Sequence, residues 1–499
     1  MGLRDGLKQL AAGLSTAEGT LAQKTVRGGF WVFFSFGLGR ILGLVSSIVL
    51  ARLLMPADFG LMGLVGVSMA AIATFTTTGI EPALIHGGEI NNQVLNVAWT
   101  ISVLRGILLW FTVFAGAPFI AAFFRTTALE SLLRVVAFTF LAEGFVNVGL
   151  TILRKDMDFK TLAVFDLGVL APSLVASIIA AVILRNVWTL VIGAIVQALV
   201  RLVASYLIHP FRPRLHWDWS LAKDLFGYGK HVIASGVVHY FLTQGDDALV
   251  GRVLGAAPLG FYGLAYRLSN MPATNLTHVV SQVMFPAYSQ IQEDTVALRS
   301  AYLNTLRSVA LIAVPLSAGL FVLAPEIIAV LYGDKWLAVV PAFMVLCFFG
   351  LERSIGASAG PLFLAVGKPH LVLYLTLAKL LVMGIAIYPL TLRYGILGTS
   401  IAVTLSAVVV AVSVLPTVAR VLQCELTVVL GTLRTPFTGT LLMSISLFLL
   451  KHSLMGDGSP VSLMGLVSVG FLIYFLYLHL AEPELVRRAI SFMGRVREG

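Results

Sequence analysis

LARLLMPADFGLMGLV (residues 50–65) and VGRVLGAAPLGFYGLA (residues 250–265) are one passage written twice, 200 residues apart. Without a gap, Arg52 falls on Arg252, Leu54 on Leu254, Ala57 on Ala257, Gly60 on Gly260, Gly63 on Gly263 and Leu64 on Leu264. Beyond this window the same offset pairs Gly29 with Gly229, Ser35 with Ser235 and Thr74 with Thr274. Leucines and alanines coincide by chance in an apolar chain. A repeated arginine and a repeated G-x-x-G are harder to obtain that way.

The chain around this repeat is unusually apolar. Of 499 residues, 58% are hydrophobic and 12% charged, and the mean hydropathy is +0.93. A soluble domain carries about 25% charged residues. Apolar runs here continue for ~20 residues, the length of a bilayer-crossing helix. A β-barrel would instead alternate within segments of ~10 residues. The composition therefore excludes a secreted enzyme, a soluble nucleic-acid binder and a disordered chain, and predicts an all-α polytopic membrane protein.

Fourteen spans are expected, at 28–50, 60–82, 94–118, 131–152, 161–184, 187–208, 225–247, 259–285, 302–323, 338–364, 371–390, 396–416, 433–450 and 461–480. The repeat begins at the first span and again at the seventh. Six spans separate the copies, so both have the same orientation. Parallel repeats of this kind make two helical bundles related by an axis near the membrane normal. The expected organisation is a cytoplasmic arm (1–27), an N-lobe of helices 1–6 (28–208), a linker (209–224), a C-lobe of helices 7–12 (225–416), a linker with helices 13–14 (417–480) and a cytoplasmic tail (481–499). The stretch LRDGLKQLAAGL in the arm has the pattern of a short interfacial helix, and no cleavable signal peptide is read there.

Lysine and arginine set the orientation. Nine of the 34 lie within spans: Arg40, Arg105, Arg134, Arg201, Lys230, Arg267, Arg307, Arg353 and Lys379. With a cytoplasmic N-terminus, seven fall on outside connections: Arg52, Arg125, Arg185, Arg252, Lys335, Arg393 and Lys451. The other eighteen are inside, so both termini are expected in the cytoplasm. Much of the net charge of +10 is then topology rather than a nucleic-acid surface. Cys347 and Cys424 form no CxxC and support neither a disulfide framework nor a metal site.

A charge at mid-membrane costs at least ~2.5–3.5 kcal/mol and persists where it faces protein or water. The acidic residues in spans are Glu81, Glu143, Asp166, Asp246, Asp247 and Glu352. Arg134, Asp166, Arg307 and Asp247 lie near span ends, where side chains snorkel. Single arginines inside could be explained by ion pairs with Glu143 or Glu352. The set has nine basic and six acidic members, and the surplus points to a wet, electropositive cavity suited to phosphate. Arg40, Lys230, Arg267 and Arg353 are the candidates for a diphosphate. His239 and Gln244 are candidates for sugar hydroxyls, with interhelical bridging as the plainer role for them and for Asn147 and Gln197. Arg52, Asp246, Asp247 and Arg252 form a candidate gate or ion-coupling group, or else a solvated loop mouth. Gly and Pro crowd 341–369, which predicts a broken span. His231 and His278 are read as structural, and no metal is expected. No Walker A, GxSxG or HExxH sequence occurs, so no enzymatic activity or cofactor is expected, and proton or sodium coupling stays open.

Three segments carry a likeness: GRILGLVSSIVLARLLMPADFGLMGL (39–64), LVGRVLGAAPLGFYGLAYRLSNMP (249–272) and VVSQVMFPAYSQIQED (279–294). They resemble oligosaccharide flippases of the multidrug/oligosaccharidyl-lipid/polysaccharide exporter superfamily. The likeness is nearest to Wzx-type polysaccharide exporters, in particular the colanic-acid-exporter-like branch. It implies a bacterial inner-membrane protein of twelve to fourteen spans in two lobes. Its substrate would be a polyprenyl-diphosphate-linked oligosaccharide, moved by alternating access, with membrane lipids and other polysaccharide assembly proteins as partners. The related lipid II flippases use arginines in the first and eighth spans. Their motifs look like Gly39-Arg40-Ile41-Leu42-Gly43 and Tyr266-Arg267-Leu268 here. Their acidic residue after the first-span arginines is replaced by Ser46-Ser47. A cation-coupled multidrug antiporter of the same fold would favour acidic cavity residues, and a membrane glycosyltransferase would need paired carboxylates, for which Asp246-Asp247 is the sole adjacent in-span pair.

Overall fold

The computed structural model describes residues 21–76, 84, 91–454 and 459–483, with side chains left aside at 21–30, 33, 222, 224–235, 275–279, 281–282 and 452–454. The interfacial stretch of the arm, the C-terminal tail from residue 484, Glu81, and the side chains of Lys230, His231 and His278 lie outside the described residues.

Among the described residues there are helices and no strands. The first half holds α1 (Leu21–Leu53), α2 (Pro56–Phe75), α3 (Asn92–Phe124), α4 (Ala128–Val136), α5 (Phe138–Gly144), α6 (Leu150–Lys155), α7 (Phe159–Leu184) and α8 (Trp188–Ile208). The second holds α9 (Trp219–Val253), α10 (Ala256–Ser269), α11 (Met271–Gln290), α12 (Thr295–Val322), α13 (Ala324–Ile327), α14 (Val340–Gly356), α15 (Ala359–Ala365), α16 (Pro369–Val421), α17 (Leu426–Leu454) and α18 (Pro460–Ala481). The repeat is visible in these bounds. Helix α1 ends at Leu53 and α2 starts at Pro56, while α9 ends at Val253 and α10 starts at Ala256. Arg52 and Arg252 occupy the last turns of α1 and α9, where a cation complements the helix dipole.

Ten of the described helical stretches are long and apolar enough to cross a membrane. The difference from fourteen arises in four places. The expected span 131–152 is divided among α4, α5 and α6, and 259–285 between α10 and α11. The span 225–247 falls in α9, which among the described residues does not qualify as a span, and 371–390 and 396–416 share the single range of α16. At 53 residues α16 would be ~80 Å long, far beyond the ~30 Å hydrocarbon core. Gly395, with φ 60° and ψ −140°, interrupts it and separates two helices. The Gly/Pro-rich tenth span breaks where expected, between Gly356 and Ala359. Outward-facing apolar side chains such as Leu207 (80% exposed), Phe119 (78%) and Ile183 (73%) are what a lipid-facing surface requires. The protein is an all-α polytopic membrane protein.

The chain forms two compact units, Met1–Gln244 and Gly245–Gly499. The expected boundary lay in the 209–224 linker; the observed one falls inside α9. The reason is local packing within the first unit. Residues 209–218 are extended and tied down: Arg214 N–H donates to Asn96 Oδ1 (2.8 Å) and His216 N–H to Thr100 Oγ1 (3.0 Å). Leu221 packs on Leu84, Val97, Ala98 and Ile101, and Tyr240 Oη donates to the Val67 carbonyl (3.3 Å). Asn147 is the knot of this region. Its Nδ2 donates to the Phe211 carbonyl (2.8 Å), its N–H to Ser205 Oγ (3.0 Å), and its Oδ1 accepts from Gly149 N–H (2.9 Å). A buried side-chain amide satisfied this way stabilises the break between α5 and α6. Beside it, Phe211 N–H donates to His209 Nδ1 (3.2 Å). Burial and, secondarily, the Arg212 charge hold that imidazole below its ordinary pKa, which keeps Nδ1 free to accept.

In the second unit, Tyr302, Leu306, Leu362, Phe363, Val418 and Val429 are core members joining α12, α15, α16 and α17. Leu323, Met443, Leu447, Leu466 and Tyr474 pack α17 and α18 against the end of α12. The last two helices are thus part of this unit. An Arg307–Glu482 ion pair adds a polar tie between α12 and the end of α18.

Candidate functional site

The second unit gathers the charged residues that the sequence singled out around the C-terminal end of α10. The gathering begins with Gly350 on α14. A Cβ there would lie 2.1 Å from the Ser269 carbonyl oxygen, so only glycine lets α14 touch the α10 backbone. That approach brings Arg353, one turn further on, within reach of Asn270, whose Oδ1 accepts from Arg353 Nη1 (3.3 Å). Tyr266 shares the Arg353 guanidinium, and its ring lies 5.7 Å from that of Phe349. Lys379 on α16 reaches Glu352 Oε2 (3.5 Å) and sits 4.8 Å from the centre of the Phe349 ring.

The acidic pair comes from α9. Asp246 is 3% exposed and its Oδ2 accepts from Tyr262 Oη at 2.6 Å. Its other oxygen, Oδ1, has no hydrogen-bond donor among the described residues. Asp247 feels the charges of Asp246 and Arg267. The solvated loop mouth weighed for this pair does not describe Asp246, which is in the protein interior. Arg267 itself is exposed and Arg353 half-buried. Arg353 and Asn270, Glu352 and Lys379, and Asp246 and Tyr262 are thus brought together around α10, and Arg267 lies on that helix three residues before Asn270. The tyrosines and Asn270 escaped the sequence reading. Apolar spans contain many aromatic residues, and only packing against Arg353 distinguishes Tyr266.

The remaining candidates lie elsewhere. Arg40 is exposed on α1, with its guanidinium 4.9 Å from the Phe36 ring centre. His239 is exposed and Gln244 half-buried on α9, within the first unit. Lys230 contributes its backbone to α9, and its side chain is outside the described residues. Arg52 and Arg252 end their helices and each has a partner of its own.

Several in-span basic residues thus have acidic neighbours within their own unit. Arg134 pairs with Glu130 (2.8 Å) and Lys379 with Glu352. Arg105 and Arg201 both act on Glu143. Among the described residues no group of three or more His, Cys, Asp or Glu side chains could hold a metal ion. Beside the cluster, a chamber of about 540 Å³ opens among α14, α16 and α17, lined chiefly by apolar side chains such as Phe348, Leu415 and Phe437, with Glu352 and Arg434 on its wall.

Charged side chains within long apolar helices are functional-site candidates in a polytopic membrane protein. A family model described as "Polysaccharide biosynthesis protein" matches residues 49–341, and the chain belongs to that family. The segments 249–272 and 279–294, and most of 39–64, lie inside the matched range. The chain is similar to the lipopolysaccharide biosynthesis protein WzxC of Escherichia coli K12, at 27% identity over 70% of this chain and 71% of that one. It is similar to the succinoglycan biosynthesis transport protein ExoT of Rhizobium meliloti 1021, at 24% identity over 91% and 92% of the two chains. Its fold matches that of the lipid II flippase MurJ in an inward closed conformation, with a TM-score of 0.73, 15% identity and coverage of 92% and 100%.

Proposed function

We propose that this protein is a flippase that moves a polyprenyl-diphosphate-linked oligosaccharide across a bacterial inner membrane for cell-surface polysaccharide synthesis, and is not an enzyme. The observation that supports this is the hydrogen bond from half-buried Arg353 to Asn270, three residues after Arg267 at the end of α10, in the second unit of a protein of this family. Arginine presents a planar fork to phosphate oxygens and stays charged in the membrane. Within the second unit, Arg267 and Arg353 would hold the diphosphate. Movement would proceed by alternating access of the two units, with the lipid tail left in the bilayer. The names of WzxC and ExoT, a lipopolysaccharide biosynthesis and a succinoglycan transport protein, support this substrate class.

The test is a leaflet assay on the purified full chain in vesicles, with a panel of short polyprenyl-diphosphate oligosaccharides. Protein-dependent transfer to the opposite leaflet is the expected result. Failure with every member of the panel, under a pH or sodium gradient of either sign, would overturn it. Buried Asp246, with one carboxylate oxygen lacking a donor, favours one competing reading, a cation-coupled multidrug antiporter. Gradient-driven movement of organic cations, with no movement of the glycan lipids, would select that reading.

The orientation has its own test. Arg487, Arg488, Arg495 and Arg497 follow the last span, and the positive-inside bias places them in the cytoplasm. A reporter fused after Gly499 is expected to be active only there. Periplasmic activity would mean an odd number of spans or an inverted orientation.

A further inference from the structure

The connection between α8 and α9, residues 209–218, lies in the first unit and plays no part in the diphosphate site. Pro210 and Pro213 keep it out of a helix. It runs from the end of α8 to the first turns of α3, where the Arg214 and His216 N–H groups are held by Asn96 and Thr100. His209 stands against Gly149, where any Cβ would collide with the imidazole. Leu221 closes the far end by packing on Leu84, Val97, Ala98 and Ile101. Both α3 and α8 are apolar enough to cross a membrane. A strap laid across the ends of two such helices lies at the edge of the hydrocarbon.

With its backbone tied inward, the strap turns large side chains outward. Leu215 is 73% exposed, Trp219 72% and Trp217 46%, and the two indoles lie 6.0 Å apart. Arg212 and Arg214 are exposed beside them. The Arg212 guanidinium is steadied 5.8 Å from the Tyr206 ring centre and donates to the His209 carbonyl (2.8 Å). The one acid within 209–221, Asp218, is turned to the start of α9, where it accepts from the N–H groups of Ser220 (2.8 Å) and Leu221 (3.1 Å). The outer edge is therefore aromatic and basic. Tryptophan concentrates where a bilayer meets water, because its ring is apolar and its N–H is polar. Arginine at that level meets lipid phosphate. The edge also continues the lipid-facing surface, since Leu207 in the last turn of α8 is 80% exposed.

We propose that residues 209–221 lie in the headgroup layer of the bilayer and gather anionic phospholipid there. Leu215, Trp217 and Trp219 sit below the phosphates, and Arg212 and Arg214 sit on them. With both termini inside, this is the cytoplasmic leaflet. The inference goes beyond the flippase reading and does not depend on what the protein carries. A docked soluble protein would have to cover a patch that runs without a break into the lipid-facing side of α8, which favours the membrane as its partner.

The test places an environment-sensitive fluorophore at Leu215→Cys in the full chain with Cys424→Ser; Cys347 is 2% exposed and stays unlabelled. Ser220→Cys supplies a second exposed position if the first variant does not fold. The protein is reconstituted in phosphatidylcholine vesicles. These hold an equal small fraction of either phosphatidylcholine or phosphatidylglycerol, spin-labelled near the headgroup end of an acyl chain. The expected result is strong quenching by labelled lipid, weak quenching by iodide on both sides of the membrane, and a preference for the labelled phosphatidylglycerol. At low salt that preference should be about fivefold, the effect of one basic side chain at an anionic surface, and it should shrink in about 1 M salt. Arg214→Gln should lower it with the melting temperature unchanged, because that side chain is exposed. Quenching by iodide and not by lipid puts the strap in water and overturns the proposal, leaving the patch to a soluble partner. Equal quenching by the two labelled lipids overturns the anionic preference, as does a preference that survives Arg212→Gln and Arg214→Gln combined. Neither result bears on the flippase reading, which the transfer assay decides separately.

Discussion

Arg267→Ala is expected to cut glycan export by roughly 10–150-fold at matched membrane expression, because it removes a charge-assisted contact of about 1.5–3 kcal/mol. Arg353→Ala and Arg40→Ala should follow in the same direction. Arg185→Ala is the control: Arg185 is an exposed residue that terminates α7 at φ 48°, and export should persist. The cluster geometry adds a distinction between the three. Arg353 bonds Asn270 and shares Tyr266, so its loss should also lower thermal stability. Arg267 and Arg40 are exposed, and their loss should leave the melting temperature near that of the wild type. Arg→Lys should restore only part of export in each case, since lysine keeps the charge without the fork. Full export by all three alanine variants would make these arginines structural and return the search to Arg105 and Lys230.

How far this was legible in the sequence depends on the residue. The boundary between the first two spans of each half could be read from Arg52 and Arg252 and the glycines that follow them, because a repeated turn needs repeated residues. The break after Gly356 could be read from the crowding of Gly and Pro. The divisions at Ala137 and at residues 145–149 could not. The second is held by Asn147, whose acceptors at His209 and Phe211 lie more than sixty residues away in sequence. The same limit applied to the charges. Counting basic against acidic side chains gives a surplus, but it cannot pair Lys379 with Glu352, 27 residues apart, or place Arg105, Glu143 and Arg201 together. Asp246 and Asp247 are adjacent in sequence and so looked equivalent. Only the Tyr262 hydroxyl, one helix away, marks Asp246 as the buried, hydrogen-bonded carboxylate, while Asp247 is half-buried.

Gly350→Ala is expected to do more damage than its one methyl group suggests. The new Cβ would stand 2.1 Å from the Ser269 carbonyl oxygen and 3.0 Å from its carbon. Both obstacles are backbone, so no side chain can swing aside. A carbon and a carbonyl oxygen in close contact sit about 3.3 Å apart, so α14 and α10 must separate by ~1 Å. Overpacking of this kind costs about 1–3 kcal/mol, which a thermal melt of the purified protein would read as a lowered transition. The same movement reaches the site. The Arg353–Asn270 bond begins one residue beyond the point of contact and is already 3.3 Å long, near the limit of a useful hydrogen bond. Export should therefore fall although every charge in the cluster is still present. Gly360→Ala is the matched comparison: it lies in α15 of the same broken span, with nothing within 4 Å of the added Cβ, and replacing a helical glycine there should be neutral or slightly stabilising. If Gly350→Ala melted and exported like Gly360→Ala, the close approach of α14 to α10 could not be what holds Arg353 in place.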